Sequence, residues 1–373
     1  MTDLKHEIKF LAEQVSDLIN NDSFPSTIRP IELRDAVRAY PSCGGKRLRP
    51  IMLLWTCGMF DGDITRAIPA AAAVEVFHNW TLVHDDIIDD DTVRRGKPTS
   101  HVALANYAEN ILTDNEDIAE KFGRDLAILA GDIQQAWSMD LILRLTDSGY
   151  DPKLVIALAK RMVQTLNRDL ISGEAIDVEL PLHKLETIQK SDILRMISGK
   201  TSALLKYAMQ CGAAIALNDT DFNSPVQLTI SDFIEKLGLA YQLQDDLLGI
   251  YGDAEQFGKP LCSDMREGKP TLLLYEAKKR LEKLKQSTGD FAKALRHNLS
   301  AGDVCPVCGQ KVNDNIKDEE FAKMLEPFEN ELLAKEEIKK KAEKSKNDKQ
   351  TFVNALDMTI KKDENELTDL QNI

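Results

Sequence analysis

The stretch Leu82-Val-His-Asp-Asp-Ile-Ile-Asp-Asp-Asp-Thr-Val-Arg-Arg-Gly-Lys-Pro-Thr-Ser-His101 closes a long apolar run, Ala67 to Val83, and carries five aspartates within seven residues, followed at once by two arginines. An apolar run of that length reads as helix. If the helix continues through the acids, Asp85 and Asp89 lie one turn apart on one face, with Asp86 beside them. Carboxylates held that close raise one another's pKa unless a cation joins them. An all-oxygen donor set suits a hard dication such as Mg2+, which takes one or two carboxylates plus substrate phosphates. A solvated acidic helix end is the ordinary alternative, yet the dipole at a helix C-terminus disfavours acids.

A second acidic pair, Asp245-Asp246, lies in Tyr241 to Gly249 and again ends an apolar segment. Two facing acid pairs would clamp a diphosphate through several metal ions. Basic residues follow a flexible Gly44-Gly45 pair: Lys46, Arg47 and Arg49 precede Pro50. Glycines admit close backbone approach, and arginine suits bidentate phosphate binding.

Further short motifs are Leu129 to Asp132 (Leu-Ala-Gly-Asp), Gly199 to Thr201 (Gly-Lys-Thr) and Gly258 to Leu273, which contains Gly-Lys-Pro and then Arg-Glu-Gly-Lys-Pro-Thr-Leu-Leu. In this order, over about residues 1 to 280, the motifs resemble those of the trans-isoprenyl diphosphate synthases. That resemblance implies an isoprenoid-synthase-type helical bundle that condenses isopentenyl diphosphate with an allylic prenyl diphosphate. It places Asp85, Asp86 and Asp89 on two metal ions and Asp245, beside Asp246, on another, about three Mg2+ in all with substrate bound. Lys46, Arg49, His78 and Arg95 would hold the isopentenyl diphosphate. Arg94, Lys200 and Lys259 would face the allylic diphosphate, Lys269 would be a further substrate-binding residue, and the Thr201 hydroxyl and Gln242 amide would be dipoles near the carbocation. Phe77, Trp80 and Thr81, just ahead of the first acids, would limit chain length. The first motif lacks a two-residue insertion and resembles the archaeal type that makes a twenty-carbon product; fifteen carbons is the alternative. At position 249 the family's usual aspartate is replaced by Gly249, with Asp253 and Asp264 downstream.

Composition supports an ordered, soluble chain. Of 373 residues, 43% are hydrophobic, ample for a core, and the net charge of -14 provides no basic footprint for nucleic acid. Met1 to Ile19 carries charges throughout, and Ala67 to Val83, the best membrane candidate, contains Glu75 and His78. A cytoplasmic location is therefore expected. Cys43, Cys57, Cys211 and Cys262 are scattered singly and read as reduced thiols.

Strand signals are nearly absent and helical spacing recurs. Leu4, Ile8, Leu11, Val15 and Leu18 advance by threes and fours, and further stripes occupy Leu154 to Ile171, Ile188 to Ile197 and Phe233 to Leu248. The polar stretch Asn106 to Lys121 is expected to form an exposed helical excursion without chemistry. The expected fold is all-α, a bundle whose core would house the functional groups.

Beyond residue 280 the composition turns to Lys and Glu. Near-heptad seams (Leu281, Leu284, Phe291, Leu295, then Phe321, Leu325, Phe328, Leu332) flank Cys305-Pro-Val-Cys308. The expected organisation is a synthase domain, 1–280, and a helical-hairpin or coiled-coil appendage, 281–373. Its tip resembles the zinc hook of SMC-like DNA-repair ATPases, whose head motifs are missing here. One Cys-x-x-Cys supplies half of a tetrahedral Zn2+ site, so two copies in a homodimer would complete it; a redox pair or a metal-free remnant are the alternatives. Three functions stay open: a prenyltransferase with a dimerising tail, a noncatalytic synthase-like subunit, and a zinc-dependent tether.

Overall fold

A computed structural model of the chain describes residues 4–184, 187–251, 269–277, 279 and 280. The chain divides into two units, Met1–Leu281 and Glu282–Ile373. All described residues belong to the first; the Cys305 to Cys308 tip, in the second, and Lys259, in the first, lie outside them.

Eleven α-helices account for most of the described residues, and only two two-residue strands are among them. In order the helices are α1 (Leu4–Asn21), α2 (Ile31–Ser42), α3 (Leu48–Met59), α4 (Ile64–Ile88), α5 (Ser100–Ile111), α6 (Glu116–Leu143), α7 (Pro152–Arg161), α8 (Asn167–Glu179), α9 (Lys190–Ile197), α10 (Ala203–Leu217) and α11 (Pro225–Tyr251). The all-α expectation holds.

Helix α4 is the axis of the bundle because its sequence is apolar all round, and such a helix must be enclosed on every side. It packs on α1, α2, α3, α5, α6 and α10, and Ala67, the run Ala70 to Val74, Val76, Phe77 and Val83 are buried. Asp63 caps its start, accepting from the Thr65 and Arg66 amides at 3.0 and 3.2 Å. Glu75, the charge that interrupts the run, is buried against the Arg47 guanidinium, which also donates to the Pro41 carbonyl. Removing one partner of such a pair costs about 3–5 kcal/mol, so Arg47 belongs to the scaffold.

The stripes of α1 and α9 face the core, although in α1 Leu4 is exposed, Leu18 is only half-buried and Ile19 is buried in its place. The expected excursion, Asn106 to Lys121, is the largely exposed end of α5, a short turn and the start of α6, where the Asn115 side chain accepts from the Ile118 amide at 3.1 Å. Farther along, α6 enters the core with Ala127, Ala130, Trp137 and Leu141 buried. Gly123 lets the two helices close: a Cβ there would sit 2.3 Å from the His101 carbonyl oxygen.

Two continuous helical runs, α7–α8 and α9–α10, each contain one π-helical segment, Met162–Leu166 and Ser198–Ser202. Such segments concentrate at functional sites, and the second holds the Gly-Lys-Thr motif. After α4, an antiparallel hairpin pairs Val93–Arg94 with Lys97–Pro98 around Arg95 and Gly96, whose φ values are 52° and 74°. Two positive-φ residues in a two-residue loop match the twist of such a hairpin. No helix among the described residues is long and apolar enough to cross a membrane.

Candidate active site

The last turn of α4 sorts the first acidic cluster onto two faces. Asp85 and Asp89 share one face, as their spacing predicts. Asp85 Oδ1 accepts from Lys200 Nζ at 3.1 Å, and Asp89 Oδ1 lies 3.5 Å from Lys269 Nζ. Asp86 corrects the expectation that it stands beside them. Successive helical residues turn by about 100°, which carries Asp86 toward α2, where it is fully buried. Its Oδ1 accepts from Arg94 Nε at 2.6 Å and its Oδ2 from the Tyr40 hydroxyl. Arg94 thus grips Asp86, and its guanidinium also lies 3.8 Å from Asp85 and 3.7 Å from Asp91.

Lys200 is the hub of the charged face. Besides Asp85 it reaches Glu174 Oε1 at 3.0 Å and Asp177 Oδ2 at 2.8 Å, both on α8. Two glycines allow this approach: a Cβ on Gly173 would meet the Lys200 backbone nitrogen at 2.3 Å, and one on Gly199 would meet the Asp169 carbonyl oxygen at 2.6 Å. Burial pushes the Glu174 carboxyl up to about 7, against the pull of Lys200, and Asp85 and Asp177 push the same way. Burial also raises the Asp89 carboxyl, opposed by Lys269. Burial acts against the Lys200 charge, but Asp85, Asp177 and Glu174 together raise its pKa above the ordinary lysine value.

On α11 the second acidic pair divides in the same manner. Asp246 is buried and accepts from Gln242 Nε2 at 3.0 Å, while Asp245 is exposed. Gln242 Oε1 in turn accepts from the Thr201 hydroxyl at 3.2 Å, so the two expected dipoles are joined.

The second expected diphosphate site lies on the preceding face of α4. Arg49 Nη1 and His78 Nε2 are 3.1 Å apart. Burial, then Arg49, Arg95, Arg94 and Arg47, depress the His78 pKa well below its usual value, so the imidazole is neutral. Arg49 Nε is buried without a hydrogen-bond partner, and burial lowers the Arg49 pKa while Glu75, Tyr241 and Asp245 oppose it. An orphaned guanidinium N–H beside a neutral imidazole suits an incoming anion. Arg95 Nη1 donates to the Gly44 carbonyl at 2.6 Å and lies over Gly45, where a Cβ would be 3.1 Å away. Lys46 is exposed on the same loop.

Of the expected chain-length residues, Phe77 is enclosed and meets Trp80 edge-on at 4.9 Å between centroids. Trp80 is 7% exposed, and its Nε1 has no partner. Thr81 hydrogen-bonds the His78 carbonyl.

The oxygen donors Asp85, Asp89, Glu174 and Asp177 outnumber Lys200 and Lys269 around them, and two of the four are pushed toward protonation. This excess of half-buried carboxylate oxygen fits Mg2+. Among the described residues no three His, Cys, Asp or Glu side chains are grouped so as to hold a metal ion by themselves; Mg2+ commonly takes much of its shell from water and phosphate. Glu174, Asp177 and Tyr40 were not singled out from sequence. The signal for the first two was Gly173-Glu174 followed by Asp177, acids three apart straight after an apolar stripe.

The Polyprenyl synthetase family model matches residues 31–301. The chain belongs to the polyprenyl synthetase family. It is a trans-prenyltransferase. The family match continues past residue 280 and ends before Cys305. The chain is 35% identical over 283 residues to the short chain isoprenyl diphosphate synthase of Methanocaldococcus jannaschii, covering 76% of this chain and 72% of that one. It is 35% identical over 311 residues to the geranylgeranyl diphosphate synthase of Sulfolobus acidocaldarius, covering 80% and 84%. A solved geranylgeranyl pyrophosphate synthase from Corynebacterium glutamicum, complexed with isoprenyl diphosphate and magnesium, superposes with a TM-score of 0.64 at 26% identity, over 86% of this chain and 85% of that one.

Proposed function

We propose that this polyprenyl synthetase family member joins isopentenyl diphosphate to an allylic prenyl diphosphate and releases geranylgeranyl diphosphate. The observation that carries the reading is the Lys200 hub, where Asp85, Glu174 and Asp177 meet one ammonium beside Asp89 and Lys269.

In this reading the allylic C1–O bond breaks and its electron pair leaves with the diphosphate. The isopentenyl double bond then attacks C1, and a proton leaves the carbon next to the new cation to form the product double bond. Lys200, Lys269 and Arg94 stabilise charge on the departing diphosphate, with Lys259 outside the described residues expected to add to it. Asp85, Asp89 and Asp245 would hold Mg2+, which supplies further charge to the leaving group when bound. Asp86 and Asp246, both buried and hydrogen-bonded, act as supports of that set. Lys46, Arg49, His78 and Arg95 hold the isopentenyl diphosphate, and neutral His78 contributes a hydrogen bond without adding charge. The linked Thr201 and Gln242 dipoles lie along the carbocation's path. The departing diphosphate accepts the final proton, so no side chain is needed as base.

Trp80 and Phe77 form the floor of the product channel. The proposed setting is the cytoplasm and the proposed assembly a homodimer, the assembly being supported by the exposed Ile118, Leu129 and Leu143, which fall on one side of α6. Zn2+ at Cys305 and Cys308 remains a proposal for residues outside those described.

Chain-length analysis of products from labelled isopentenyl diphosphate and each allylic primer tests the assignment. The expected product has twenty carbons, and Trp80→Ala lengthens it. A fifteen-carbon product, unchanged by Trp80→Ala, would reject both the assignment and the floor.

A further inference from the structure

Asp86 is the most enclosed acid of the first cluster, and its second oxygen is used by a residue far away in sequence. The Tyr40 hydroxyl donates to Asp86 Oδ2 and accepts from the Ser100 amide at 3.2 Å. A single phenol oxygen therefore ties the end of α2 to the last turn of α4 and the first residue of α5. Burial, then the bond to Asp86, raises the Tyr40 pKa, so the phenol keeps its proton and remains a donor.

The hairpin that carries both arginines lies between these anchors. Its base is pinned by the Asp91 amide on the Asp86 carbonyl at 2.9 Å and by the Thr99 amide on the Thr92 carbonyl at 3.1 Å. Arg95 is tied to the Gly44 carbonyl, four residues after Tyr40, and Arg94 to Asp86. Both guanidinium groups are thus referenced to the end of α2, Arg95 directly and Arg94 through Asp86 and Tyr40. Arg94 borders a cavity of about 410 Å3 that Tyr40, Cys43, Asn79, Leu82 and Arg95 also line; Arg95 is held there by its own bond to Gly44, whereas the Arg94 tie runs through Asp86. That space gives the guanidinium somewhere to swing if Asp86 shifts.

We infer that Tyr40 is a positioning residue: through Asp86 it fixes the Arg94 guanidinium against the allylic diphosphate, and it does so without setting Arg95. This rests on the proposed function, in which the two arginines serve different diphosphates. The inference predicts a selective defect. A hydrogen bond to a charged group is typically worth enough to change affinity by about tenfold.

The test is steady-state kinetics of full-length Tyr40→Phe, which keeps the ring and removes only the oxygen, with melting temperature measured alongside. The expected result is a KM for the allylic diphosphate raised about tenfold, with the KM for isopentenyl diphosphate little changed. Asp86→Asn provides the second variant: it keeps the side chain's shape, should show the same selectivity, and should gain little further defect when combined with Tyr40→Phe. Equal changes in both KM values, or additive defects in the double variant, would overturn the inference. A wild-type chain without turnover would instead sink the proposed function, so the two failures are told apart.

Discussion

Glu174 shows how the charged face is poised. In the unfolded chain its carboxyl titrates in the ordinary range, and in the folded protein burial lifts it to about 7. Between those values the native state holds a proton that the unfolded chain has released. Stability therefore falls as pH rises through about 7, and the loss is complete above it. Glu174→Gln removes that loss, while Lys200 keeps Asp85 and Asp177. The metal-free variant should be more stable than the wild type by roughly 1 kcal/mol or more near pH 8, and closely similar near pH 4. Urea denaturation at the two pH values checks this; an equal gain at both would mean that packing, and not charge, sets the difference. The same residue marks a limit of sequence reading. The aspartates of the first cluster announce themselves by density, but Glu174 gains its role only where α8 crosses the Gly-Lys-Thr turn. Asp86 shows the converse: its neighbours in sequence place it with Asp85, and only the helical turn toward Tyr40 separates them.

At the scale of elements, that crossing is a close backbone-to-backbone contact that two glycines permit. Gly173 and Gly199 approach so closely that a Cβ on Gly199 would lie 2.7 Å from the Gly173 Cα. Gly199→Ala should force α8 away from Lys200, lowering stability by about 1–3 kcal/mol and reducing kcat by more than the stability change explains. Denaturant melts and kcat, measured together on the folded variant, decide it; wild-type kcat would show that the spacing does not matter to catalysis. The helices themselves were legible because stripe residues such as Leu11, Val15, Leu154, Leu158, Ile193 and Ile197 are buried and because α4 is apolar all round, although the stripe ends Leu4, Ile171, Phe233 and Leu248 are exposed. The pairing of α5 with α6 was less so: Asn106 to Lys121 reads as polar, and what closes the pair is Gly123 against the His101 carbonyl, a contact with no periodic signature. The π-helical segment at Ser198–Ser202 was likewise invisible, since one extra residue in a turn leaves the composition unchanged.

At the scale of the whole molecule, a chain with a net charge of -14 sets Arg94, Lys200 and Lys269 against the first acidic cluster, Arg49 beside His78 and Arg95 on the Gly44 carbonyl. Such a local concentration of cations on an acidic protein is what an anionic substrate requires. The fold class and the family could be read from the chain alone, as the family match over residues 31–301 bears out. The central claim is that Asp85 and Lys200, brought together from α4 and the Gly-Lys-Thr turn, serve metal-assisted loss of diphosphate. The measurement that tests it most directly is pyrophosphate release from an allylic primer and isopentenyl diphosphate, with Mg2+ and with excess chelator, for the wild type and Asp85→Ala. The account predicts release only with Mg2+, reduced at least about a hundredfold in Asp85→Ala, with the variant still folded. Release that survives the chelator or the substitution would contradict it.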